Sequence, residues 1–155
     1  MTQYFKFYLP EYNPTGMSGV VGGGITNQEL LPRKNALFAP RETSDLSVNE
    51  QYRKLFIKQI YSANLTGLTV ELVNTEHSDQ IYFGIATGSS DESISSPLVA
   101  PTGVAITGSV SYPIVFTGSG VVGTAIPIWL KQTIAANSGD DDFVAFQLRI
   151  LASLI

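Results

Sequence analysis

A chain of 155 residues is long enough for one domain with a hydrophobic core and too short for two comfortable ones. Its 14% of charged residues is well below the roughly 25% of typical soluble domains, and a net charge of −4 argues against a dedicated nucleic-acid binder. With no cysteine, disulfides, zinc ribbons and thiol catalysis are excluded.

The charge is unevenly spread: residues 1–60 balance at +2 and residues 61–155 at −6, which hints at two faces with different neighbours. The opening "MTQYFKFYLPEY" has no basic region followed by an apolar core, so it does not read as a signal peptide. Within it, "YFKFYL" alternates and is aromatic-rich, which predicts a strand over residues 4–9.

From residue 10 to about 48 the pattern dissolves. Pro10, Pro14, Pro32 and Pro40 and the glycines Gly22, Gly23 and Gly24 would break any helix there. Yet Val20, Val21, Ile25, Leu30, Leu31, Leu37 and Phe38 punctuate the stretch, so it does not read as plain linker. The expectation is an extended arm that packs against its own domain or a partner.

The next stretch, "NEQYRKLFIKQI" (residues 49–60), is ambiguous. A helix would align Tyr52, Leu55, Phe56 and Ile60. A strand would set Tyr52, Phe56 and Ile60 against Leu55 and Ile57, with Lys54 and Lys58 out of place among the first set. The rest of the chain decides for strand. "LTVELV", "QIYFGIA", "YPIVFT", "AIPIWLKQTI" and "FVAFQLRIL" all carry strand character, separated by the turn clusters "NTEHSDQ", "TGSSDESISSP", "TGSGVVG" and "ANSGDDD". The fold class is therefore all-β: an antiparallel β-sandwich or barrel with a long extended N-terminal arm. A single domain is expected, with residues 1–48 as strand and arm and residues 49–155 as the core. The strand over "YRKLFIKQI" would be covered on both faces, its lysines near an edge or snorkelling out.

Residues 93–130 carry no charge at all. Pro97, Pro101, Pro113 and Pro127 interrupt the run, so no membrane span is expected. A partly covered surface, as in a subunit interface, fits better.

Motifs that suggest chemistry weaken on inspection. "GSGVVG" (118–123) matches a dinucleotide fingerprint, but "TAIPIWLKQTI" after it alternates like a strand, where a phosphate cradle needs a helix N-terminus. Glu76 with Asp79, Asp91 with Glu92, and Asp140, Asp141 and Asp142 read as solvated turns. Calcium at the triplet is the alternative, against the lack of alternating ligand spacing. His77 is the sole histidine, with no partner set for a transition metal and no Gly-x-Ser-x-Gly elbow in the chain. The Asn-x-Thr acceptor at Asn64 reads as a chance match in a turn. The mixed basic and aromatic "YFKFY" and "YRKLF" could stack bases, but strand packing explains them as well. No catalytic, cofactor or metal site is expected, and the chain does not read as an enzyme.

Taken in order, "GGGIT" (22–26), "NALF" (35–38), "EQYRKLFI" (50–57), "WLKQTI" (129–134), the turn "AANSGDDD" and the strand "FVAFQLRI" form a pattern that resembles small virion structural proteins of tailed bacteriophages, of the capsid cement or decoration type. Gly24 departs from it where alanine is expected, and Gln132 where arginine is common. The resemblance implies a homo-oligomer on the capsid surface of the virion, made in the host cytoplasm. It would contact the major capsid protein or other virion proteins, with no role for nucleic acid, membrane or cofactor. Interface candidates are Arg33, Lys34 and Arg41, to meet an acidic shell, and Leu37 and Phe38 as anchors. A tail- or fibre-associated host-recognition or carbohydrate-binding module is the alternative.

Overall fold

A computed structural model describes residues 4–16, 18–31, 50–61, 65–73, 81–85, 92–104, 106, 114–116, 125–133 and 147–154. Among these residues there is no helix, and every strand pairing is antiparallel. The strands are β1 (Phe5–Tyr12), β2 (Val21–Glu29), β3 (Glu50–Gln59), β4 (Leu65–Val73), β5 (Ile81–Ile85), β6 (Ser93–Ile94), β7 (Ile114–Phe116), β8 (Ala125–Thr133) and β9 (Gln147–Leu154). Six of them form one sheet in the order β5-β8-β3-β1-β2-β6, and three form a second in the order β7-β4-β9. The all-β expectation holds, and the larger sheet curls as a half-barrel.

Part of the curl has a local cause. The β1–β2 register shifts on either side of Pro10, between Tyr8 and Pro10 and again between Pro10 and Tyr12. Proline cannot donate to a ladder, and such irregularities bend a strand and increase its twist.

The ambiguous stretch is β3, third from one edge and flanked by β8 and β1. It is buried on both faces from Gln51 to Ile57. Pairing with β8 runs from Glu50 opposite Thr133 to Lys58 opposite Ala125 without a break. Alternation then fixes two faces. One carries Leu55 and Ile57 against Ile128 and Ile126, with Gln51 and Arg53 against Gln132 and Leu130. The other carries Tyr52, Lys54 and Phe56 against Lys131, Trp129 and Pro127.

Two expectations need correction. Within the stretch read as an arm, residues 21–29 form β2, inside the sheet between β1 and β6. The glycines that suggested irregular chain serve that strand: Gly22 has φ 108°, and a Cβ there would sit 2.5 Å from the Glu92 carbonyl oxygen and 3.2 Å from the Trp129 ring. Only glycine lets β6 and Trp129 approach so closely. Secondly, Lys54 neither snorkels nor lies at an edge. It is fully buried, because residue 92 and β2 close over it. The boundary expected between residues 48 and 49 lies outside the described residues.

Candidate functional site

Two buried cations dominate the middle of the larger sheet, one on each face of β3. Lys54 Nζ donates to the carbonyl oxygens of Gly23 at 3.0 Å and Glu92 at 2.8 Å. It also lies 5.0 Å from the centre of the Phe56 ring and 5.5 Å from that of Trp129. Gly23 N–H donates to the same Glu92 oxygen at 3.1 Å. Gly23 and Glu92 are thus joined twice, once directly and once through the ammonium. Such charge-assisted bonds and ring faces offset the large cost of taking an ammonium out of water.

On the opposite face, Arg53 Nη1 donates to the Tyr52 carbonyl at 3.0 Å and Nη2 to the Gly16 carbonyl at 2.9 Å. Burial pulls its pKa down to about 10. Both central cations are engaged with main-chain carbonyls: those on Lys54 come from two distant segments, and those on Arg53 from its neighbour Tyr52 and the distant Gly16. What they do chemically is clamp backbone.

Above Lys54, the side chains of Val21, Tyr52, Ile94 and Trp129 form a buried cluster, with Val104 and Ile106 packed against it. Residues 92–104 cross over this cluster. They are held by the Val21–Ile94 and Gly22–Ser93 pairings and by Tyr52 N–H donating to the Pro97 carbonyl at 2.7 Å. Beyond Pro97 the turn exposes Leu98 and Val99, each 43% accessible, between the buried Pro97 and Pro101.

The two ends of β3 differ in electrostatics. At one end, Glu50 accepts from the Tyr52 hydroxyl at 2.6 Å and from Lys131 Nζ at 3.2 Å. The tyrosine bond, helped by Lys131 and opposed by burial, holds the Glu50 carboxyl below its ordinary value. Burial, then Glu50, pushes the Tyr52 phenol up to about 12. At the other end Lys58 stands directly opposite Lys6. Like charges in that position repel. The pair resolves this by divergence: Lys6 turns to Glu29 at 2.7 Å, and Lys58 lies over the Tyr8 ring at 5.5 Å.

The interface candidates Arg33, Lys34, Leu37, Phe38 and Arg41 lie outside the described residues, as do Asn64, Glu76, His77, Asp79, Asp91 and Asp140–Asp142. Glu92 is described, and its carboxylate accepts from Thr102 Oγ1 at 3.0 Å. Gly118–Gly123 also lies outside, but the segment that follows is strand β8, which offers no helix N-terminus to a pyrophosphate. Among the described residues no group of three His, Cys, Asp or Glu could hold a metal ion, and no helix is long and apolar enough to cross a membrane. No protein-family model, curated protein or solved structure matches the chain.

Proposed function

We propose that the chain is a virion structural protein of a tailed bacteriophage, of the capsid cement or decoration type, which stabilises the head shell by protein–protein contacts. The observation that carries the reading is how the polar and apolar groups are distributed. The central cations are turned inward onto main-chain carbonyls, while large apolar side chains stand at the surface: Val20, Leu31, Leu98, Val99 and Leu151. A chain of only 14% charged residues that keeps two of its six described cations in its interior suits adhesion to other proteins. Standard interfaces bury about 1,600 Å² in total, and many copies on one particle would add avidity. The partners in this reading are the major capsid protein or other virion proteins and further copies of the chain.

The rival reading, a carbohydrate-binding module, would use exposed tyrosines. Tyr12 and Tyr61 are both exposed, but they stand at opposite ends of β1, because Tyr61 follows Ile60, whose N–H bonds the Tyr4 carbonyl. At about 3.3 Å per residue that separation is roughly 25 Å, too far to stack one sugar ring between them.

Purified protein added to undecorated phage heads tests the reading. Saturable binding, weakened by Leu98→Asp with Val99→Asp, is the expected result. Absence of saturable binding would sink the cement role, and a glycan-array signal would favour the rival.

A further inference from the structure

We propose that residues 92–104 form a strap that opens from the sheet as a unit, with the Lys54 ammonium as the latch that holds it shut. This goes beyond the assembly reading and does not depend on it.

The strap is closed on itself. Thr102 Oγ1 donates to the Glu92 carboxylate at 3.0 Å, Val99 N–H to the Ser96 carbonyl at 3.1 Å, and Leu98 N–H to Ser96 Oγ at 3.3 Å. It can therefore leave the sheet and keep its own shape. Its strand β6 is only two residues long, and a pairing that short has little stability of its own. Besides the short β2–β6 pairing, three donors of the sheet reach into the strap among the described residues: Gly23 N–H, Tyr52 N–H and Lys54 Nζ. Two of the three converge on the Glu92 carbonyl, and Lys54 also holds the Gly23 carbonyl, so the ammonium ties strap and β2 to β3 at one point. The remaining holds are the two-residue β6 pairing and Ile94 and Val104 against the apolar cluster.

Opening has a defined consequence. It would uncover Trp129, Tyr52 and Val21, and would move the exposed Leu98–Val99 tip away from its fixed place. The β3–β8 ladder from Glu50 to Lys58 uses none of these donors' strap bonds and would stay intact. The device is thus a local, two-position element on a rigid sheet.

Hydrogen exchange has two built-in reporters, because the Gly23 and Tyr52 amides belong to the sheet but bond to strap carbonyls. In the wild-type protein at low, sub-denaturing urea, these two amides should exchange together and before the β3–β8 amides. If they exchange only with global unfolding, the strap is not a unit and the proposal fails. In Lys54→Met, whose side chain is one atom shorter and carries no charge, both amides should exchange about tenfold to a hundredfold faster, with β3–β8 protection retained. Acrylamide quenching of Trp129, the only tryptophan, should rise in parallel. Replacing a buried charge by an apolar group is often neutral or stabilising when the charge is mere filling. Unchanged exchange at Gly23 and Tyr52, or equal acceleration across the whole sheet, would therefore overturn the latch. Should Lys54→Met fail to fold, the wild-type urea series decides alone.

Discussion

Lys54 and Lys58 stand on the same face of the same strand, two pleat repeats apart, yet they meet opposite fates. Lys54 is sealed between β2, residue 92 and two aromatic rings; Lys58 stays partly open over Tyr8. Nothing in β3 itself distinguishes them. The difference comes from chain 31 and 38 residues away, where a glycine without a Cβ lets a carbonyl come down onto the ammonium. A buried cation here is a property of the neighbours.

Four substitutions separate the two environments. Trp129→Ala removes one wall of the Lys54 site and leaves a cavity in the sheet. The expected loss is about 3–5 kcal/mol by urea melts, whereas Tyr8→Ala at the partly open end should cost clearly less. Equal losses would mean the ends are packed alike. Gly22→Ala comes next: a positive φ and a Cβ 2.5 Å from a backbone oxygen force the strap to shift. A destabilisation of about 1–3 kcal/mol is expected, with faster exchange at Gly23 as its local mark. Lys58→Met loses one contact with a ring but relieves repulsion from Lys6. Its effect should stay within about 1 kcal/mol in either direction.

The sequence shows the strands best where burial is simple. Alternating Ile128 and Leu130 in β8, and the aromatic start of β1, declare themselves by period. For β3, covered on both faces, the pattern is nearly uniform, and only the β-rich context resolves it. β2 is concealed because Gly22, Gly23 and Gly24 weaken any strand signal, although two of them serve the approach of other segments. β6 is hidden inside a serine-rich turn, since a two-residue strand has no period to read. The Lys54 latch joins residues from three separate segments, and no local rule reports that Gly23 and Glu92 will share one ammonium.

The smallest expected effect lies in pH, at the Glu50 end of β3. The Glu50 carboxyl is held below its ordinary 4.5 by the Tyr52 hydroxyl and Lys131. The folded state therefore binds that proton less readily than the unfolded chain. Its contribution is fully present above the unfolded value and is lost as pH falls through the folded one. Tyr52 runs the other way: with its phenol raised from 10.0 to about 12, its contribution is present below 10 and is lost as pH rises toward 12. Urea melts from pH 7 to 3 should show wild type losing more stability than Glu50→Gln, the two curves converging at the acid end. Between pH 9 and 11, Tyr52→Phe should flatten the alkaline fall. Because Glu50 is partly exposed, with 42% of its side-chain surface accessible, solvent and salt screen the acid effect. Raising the ionic strength should therefore narrow the gap between wild type and Glu50→Gln. The alkaline effect, set first by burial of Tyr52, should respond less to salt. Parallel acid curves at low salt would show that the Glu50 end is electrostatically idle, and would leave burial as the only difference between the two ends of the strand.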